Sequence, residues 1–251
     1  MFASNYHCLA CRQDQDWSFT GLVCPDCGGN LDIQYDYNRA KSAFSDKPGE
    51  KPEGIFRYAP LLPVQDTGGM FPLRVGATPL YKAARLGRTI GLQNLYLKDD
   101  SQNPSASFKD RASAVVVRRA IDIEAPLISA ASTGNAGSSL ACMAAAQGLN
   151  SVIFVPESAP KAKLAQTLCF GARLLAVRGT YDDAFELCRE ASRAYGWFNR
   201  STGLNPFTRE GKKTCAFEIW EDLGRKVPDL SLIHISEPTR PPLLSRMPSS
   251  A

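Results

Sequence analysis

The sequence predicts an α/β fold, parallel strands with helices on both faces, preceded by a small cysteine-knuckle module. Three observations carry that prediction. From Leu92 onward, short apolar or β-branched runs alternate with stretches of helical period, the pattern of strands joined by crossover helices. Gly148 and Gly171 follow two of the helical stretches, where a chain leaving a helix needs a left-handed residue. Ahead of all this, two Cys-x-x-Cys pairs lie within the first 27 residues.

Composition bounds the answer. With 251 residues, 44% hydrophobic and 22% charged, the chain can bury one large or two small cores. A net charge of +4 with no basic run argues against a nucleic-acid partner. Its apolar stretches are too short to span a bilayer, and the polar start MFASNYHC does not read as a signal peptide, so no membrane partner is expected. Four of the eight cysteines are clustered in pairs, which fits metal binding in a reducing compartment; the cytoplasm is the expected location.

Cys8 and Cys11, then Cys24 and Cys27 after twelve intervening residues, offer four thiolates at the spacing that wraps one tetrahedral Zn2+. Four sulfurs leave no open coordination position, so the metal is expected to be structural; His7 is surplus. Residues 1–35 are therefore read as a zinc ribbon, and 36–93 as a polar linker and lead-in that ends near the turn GATPLY, with Thr78.

Expected strands are Leu95–Lys98, Leu127–Ala131, Ser151–Val155, Arg173–Val177 and Trp197–Arg200. Expected helices are Phe108–Ile121, Ser138–Gln147, Lys161–Phe170, Tyr181–Tyr195 and Arg209–Leu223, with Thr180 and Asp183 as a capping box. Ser107 can cap the first helix, with Asp110 in the matching position. Lys109 then lies in the first helical turn, where the helix dipole disfavours another positive charge. A lysine there, if also desolvated, becomes available as a neutral amine, and the commonest protein use of such an amine is a Schiff base with pyridoxal phosphate. The turn STGNAG, Ser132–Gly137, joins a strand to a helix start, a position suited to an anion. LNPFTREGKKT, from Leu204, collects Asn205, Thr208, Arg209, Lys212 and Lys213 at another helix start suited to a phosphate; Lys161 and Lys163 are similar candidates.

NPSASFKDR and STGNAG together, with FRYAPLLPV, GATPLY and LNPFTREGKKT in the same order, resemble the threonine synthase family of fold-type II pyridoxal-phosphate enzymes, tryptophan synthase β-like in fold. The resemblance covers roughly residues 6–229. It implies that Lys109 holds pyridoxal 5'-phosphate and is the catalytic base, that Asn135 bonds the cofactor's ring oxygen, and that Ser132, Thr133 and Gly134 hold the substrate carboxylate. It further implies a small amino-acid phosphate as substrate, O-phosphohomoserine converted with water to threonine and phosphate, its phosphate held by Asn205, Thr208 and Arg209. The family often carries its arginine at the position of Thr208, so Arg209 is displaced by one residue from that pattern. The resemblance also implies that residues 94–178 form the small domain and 179–229 the start of an incomplete second half, so the chain as written is expected to be inactive and to retain cofactor poorly. The segment 230–251, proline-rich and containing SLIHISEPTRP, reads as a foreign or disordered tail. A related β-replacement or elimination enzyme, such as a cysteate synthase or a dehydratase, would use the same Lys109 and Asn135. A non-catalytic zinc-ribbon binding protein is the alternative from another class, and a homo-oligomer is compatible with the sequence without being specified by it.

Overall fold

A computed structural model of the protein describes residues 2–43, 54–65 and 71–232, without the side chains of residues 162 and 163. Lys163 and all but the first three residues of the 230–251 tail therefore lie outside the described side chains.

The N-terminal module is a three-stranded antiparallel sheet of β1 (Ala3–Cys8), β2 (Asp14–Asp16) and β3 (Leu31–Tyr35), with β1 central. Alternation sends Tyr6, Cys8, Leu31, Ile33 and Tyr35 to one buried face, as a half-buried sheet requires. Within the stretch read as linker, a short helix α1 (Tyr37–Ala43) forms because the Asp36 carboxylate accepts the Arg39 N–H at 3.0 Å.

β4 (Leu80–Lys82), α2 (Ala84–Ile90) and β5 (Tyr96–Lys98) follow, β4 and β5 pairing antiparallel in a sheet of their own. The strand expected at Leu95–Lys98 thus exists but lies outside the parallel sheet. Its Tyr96 and Leu97 are exposed, unlike the two central strands of the parallel sheet, which are buried at every residue.

The parallel sheet contains β6 (Ile128–Ala131), β7 (Ser151–Pro156), β8 (Arg173–Val177) and β9 (Phe198–Asn199), in the spatial order β8-β7-β6-β9. β6 and β7 are buried at every residue, which explains their continuous apolar or small character. Around the sheet lie α3 (Lys109–Asp122), α4 (Asn135–Ala146), α5 (Lys161–Cys169), α6 (Tyr181–Tyr195) and α7 (Phe207–Asp222). Thr180 and Asp183 cap α6 reciprocally, as its sequence predicts. The chain runs outward through β6, β7 and β8 and then returns to the opposite side of β6 as β9. That reversal opens a crevice between the carboxyl ends of β6 and β9, where ligands of open α/β sheets bind.

α3 and α7 touch backbone to backbone. A Cβ on Gly211 would sit 2.1 Å from the Arg111 carbonyl oxygen, so only glycine fits there. Beside this contact the fully buried Arg111 is clamped. Its Nε and Nη2 donate to Asp100 at 2.7 and 2.8 Å, its Nη1 and Nη2 to Glu218 at 2.8 Å each, and further bonds reach Thr78 and Thr214. Lys98 Nζ completes the cluster at 2.9 Å from Glu218.

The N-terminal module joins the same core. Tyr6 stacks on Trp17 at 4.8 Å, both rings meet Phe207 edge-on, and the Arg119 guanidinium lies over Trp17 and Phe207. Among the described residues no helix is long and apolar enough to cross a membrane.

Replacing Glu218 by alanine strips Arg111 of one of its two carboxylates in a site where neither is replaceable by water. The expected loss is about 3–5 kcal/mol in urea unfolding. Glu186→Ala, which removes an exposed pair with Arg189, should change stability by less than about 1 kcal/mol. Arg111 beside it holds the Glu218 carboxyl down to about 2, despite burial. Its contribution is therefore full above the ordinary glutamate range and lost as pH falls through that range towards 2.

Candidate active site

Lys109 is the first residue of α3, and its side chain is half-buried. The chain reaches it through a tight turn in which Ala106 takes a positive φ of 57°. Ser107 Oγ accepts the Lys109 N–H at 3.0 Å, but the expected reciprocal cap does not form. Asp110 instead folds back onto Ser105, accepting its N–H at 2.7 Å and its hydroxyl. A five-residue return fits because the turn at Ala106 brings Ser105 over the helix start.

Burial, and after it the Arg200 guanidinium, lowers the Lys109 ammonium from the ordinary lysine range to about 8. The same causes, with Lys109 itself and Arg209 contributing, bring half-buried Lys212 down to about 8. Lys109, Lys212 and Arg200 thus share one electropositive region.

The Ser132–Gly137 turn leaves β6 at the crevice. α4 begins three residues earlier than its sequence predicts, at Asn135, because Ser132 Oγ accepts the N–H groups of Gly134 and Gly137 at 3.3 and 3.0 Å and so nucleates the turn. Asn135 is exposed, while Thr133 and Gly134 are half-buried. The first amides of such a helix have no intrahelical acceptor and suit a carboxylate or phosphate.

The residues after β9 are organised differently from the sequence reading. Asn205 is buried, donating to the Asn199 carbonyl at 2.7 Å and accepting the Phe207 N–H at 2.9 Å, so both ends of its amide serve the loop. Thr208 donates to the Asn205 carbonyl at 2.8 Å. Arg209 turns to the N-terminal module, bonding the Leu31 carbonyl, with Asp32 at 3.4 Å. Lys213 pairs with Glu210 and lies 4.2 Å above the Tyr35 ring, and Lys161 is exposed. The residue that sequence reasoning missed is Arg200, 2% exposed, directly after β9. Only its place at the end of the last strand could have signalled it.

Cys8, Cys11, Cys24 and Cys27 converge, their sulfurs all within 4.8 Å of one another. The Cys8–Cys27 and Cys11–Cys24 sulfurs are 3.5 and 3.7 Å apart, against about 3.8 Å for thiolates around a tetrahedral Zn2+ at 2.3 Å. Gly29 leaves room for the cluster: a Cβ there would stand 2.8 Å from the Ala10 Cβ and 3.1 Å from both the Cys8 and Cys27 sulfurs.

A half-buried lysine with weakened proton affinity, at a helix start within the field of the arginine that follows β9, suits a carbonyl cofactor. Residues 72–235 match the family described as pyridoxal-phosphate dependent enzyme. The chain belongs to that family. It is 36% identical over 230 residues to the threonine synthase of Methanocaldococcus jannaschii, covering 91% of this chain and 56% of that protein. It is 37% identical over 227 residues to the threonine synthase of Methanosarcina acetivorans, covering 89% and 55%. The chain spans about half the length of these curated relatives. Among solved structures, diaminopropionate ammonia lyase of Escherichia coli in its apo form superposes with a TM-score of 0.55 at 21% identity, covering 64% of this chain and 50% of that one. Maize serine racemase gives 0.54 at 19%, covering 59% and 45%. These two likenesses fix the fold, a fold-type II α/β architecture, and nothing finer.

The residues present fit pyridoxal phosphate, the cofactor of the family: Lys109 supplies an amine that is substantially neutral near pH 8. Borohydride trapping of pyridoxal phosphate, mapped by peptide mass spectrometry, should label Lys109 ahead of the surface lysines. Its labelling should reach half its plateau near pH 8, because the amine reacts only when deprotonated. Labelling spread evenly over exposed lysines would contradict the assignment.

Proposed function

We propose that the protein takes part in threonine synthase chemistry, the conversion of O-phosphohomoserine and water to threonine and phosphate. The observation that supports this reading is Lys109, half-buried at the start of α3, its ammonium lowered to about 8 by burial and by Arg200, the residue that follows β9. Relatives named threonine synthase at 36% and 37% identity support the same activity.

Pyridoxal phosphate, when bound, supplies the electron sink for carbanion chemistry. Lys109 would hold it and, once released, would take and return the protons at the substrate's α and β carbons as general base. Its lowered proton affinity suits that role, since a base works best with a pKa near the operating pH. Asn135, at the first position of α4, would bond the cofactor's ring oxygen. Ser132, Thr133 and Gly134 would present the substrate carboxylate with hydroxyls and helix-start amides. Asn205, Thr208 and Arg209 would act at the phosphate end, Asn205 and Thr208 by fixing the loop after β9 and Arg209 by tying it to the N-terminal module. The small domain would be 94–178, with 1–35 as a zinc ribbon, 36–93 leading into the larger part and 179–229 beginning its second half. Four thiolates that must stay reduced to hold zinc fit a cytoplasmic setting.

Two measurements test this. Any phosphate and threonine released from O-phosphohomoserine in the presence of pyridoxal phosphate should appear in equal amounts, and Lys109→Ala should abolish both. Faster turnover of phosphoserine with sulfite would replace this reading with a β-replacement one. Metal analysis should find one zinc per chain, and Cys24→Ser should lose it. Chelation should also expose Trp17 to solvent, read as a red shift in its fluorescence, because the module's sheet packs that ring on Phe207.

A further inference from the structure

Arg200 is the feature that the proposed reaction leaves without a role. It follows β9 directly, and its main-chain N–H bonds the Ser129 carbonyl of β6 at 2.8 Å, so its position in the parallel sheet is fixed. Its side chain is buried, and among the described residues the one bond it makes is from Nη1 to Thr202 Oγ1 at 3.3 Å. Among the described residues, Nε and Nη2 of Arg200 and the hydroxyl of Ser201 have no hydrogen-bond partner. Buried polar groups in folded proteins are nearly always paired, so three orphan atoms on two consecutive residues mark a place built for something else. The nearby carboxylate of Asp110 is already committed to Ser105.

We propose that Arg200, with Ser201, forms the binding subsite for the phosphate group of the substrate. The inference rests on the reading above for the substrate's identity, and the observations favour a phosphate over a carboxylate. Two donors on one edge of a guanidinium match a pair of phosphate oxygens, and an adjacent hydroxyl serves a third. The position agrees: Arg200 stands at the carboxyl end of β9, across the switch-point crevice from the Ser132–Gly137 turn that leaves β6. Burial pushes Arg200 down only to about 10, so it remains a cation at neutral pH, and its field reaches both Lys109 and Lys212. Arg209, the arginine that the sequence reading assigned to this task, is held by the N-terminal module instead.

Inorganic phosphate is the probe, and thermal or urea unfolding the readout. At a phosphate concentration ten times its Kd, the unfolding constant of the parent chain should fall about eleven-fold. Arg200→Met should lose this response while being at least as stable as the parent without phosphate, because an uncompensated buried charge has been removed. Arg200→Gln guards against a packing effect and should also lose it, whereas Arg189→Gln, on an exposed face of α6, should keep it. Equal phosphate responses in the parent and both Arg200 variants would overturn the proposal. So would a parent chain that does not respond to phosphate at all.

Trapping at Lys109 separates the two sources of phosphate. With the subsite serving the substrate, pyridoxal phosphate should keep its advantage over pyridoxal in Arg200→Met. If that advantage disappears, Arg200 holds the cofactor's phosphate and the substrate assignment falls. Failure of Lys109 trapping in the parent would instead strike the proposed function, leaving the phosphate response of Arg200 as a separate result.

Discussion

The buried Arg111 guanidinium is the interaction on which the rest of the site's geometry depends. A cation without solvent demands compensation at every donor, and here it comes from two carboxylates that arrive on separate segments. Asp100 belongs to the loop after β5, and Glu218 to the fourth turn of α7. Glu218 also accepts the Ala77 N–H at 2.8 Å, drawing in the turn before β4. Four stretches of chain are thereby fixed around one side chain. Because successive helical residues are turned by about 100°, Arg111 and Lys109 point to nearly opposite sides of α3. Locking Arg111 inward therefore aims Lys109 outward at the crevice, and Asp110 between them ties the helix start to Ser105. The string KDR reads as three anchors with three directions.

Arg111, Arg119 and Arg200 are the buried arginines among the described residues, and the contrast between the first and the last separates structure from function. Arg111 makes six hydrogen bonds to four partner residues, and Gly211 brings the backbones of α3 and α7 into contact alongside it. Arg200 has one long side-chain bond. A fold that can surround one guanidinium so fully has no general difficulty in satisfying another. Places where the rules of polar satisfaction fail in an otherwise consistent structure are expected to be functional.

What the sequence disclosed was local. α6 was legible to the residue because a capping box opens it and Gly196, at a φ of 66°, closes it. α4 was misplaced by three residues because its cap is a hydroxyl reaching five positions forward, a geometry that no propensity scale records. β5 has the composition of a sheet strand, yet its partner lies across α2 rather than in the parallel sheet, a choice made by tertiary burial. Lys109 and the Ser132 turn were readable because their chemistry is written in adjacent residues. The pairing of Arg111 with Glu218 joins positions 107 residues apart, and the burial of Arg200 depends on sheet order; neither leaves a trace in local pattern.

The same distinction explains how the basic string before and within α7 is divided. TREGKK looks in sequence like a single cluster of cations facing a ligand. On the helix, Arg209 and Lys213 are one turn apart on a common side; the Leu31 carbonyl of the N-terminal module takes up the first, and the module's Tyr35 ring, together with Glu210 of α7, takes up the second. Lys212 is rotated by about 100° from Lys213 and stays within the electropositive region with Lys109 and Arg200. The module thus decides which cations remain available to an anion. Its cysteine cluster lies beside the strands that make those contacts, since Cys8 ends β1 and Leu31 opens β3 in direct register. A metal held by the four cysteines would therefore brace the first turns of α7 and, through Asn205, the loop that carries Arg200.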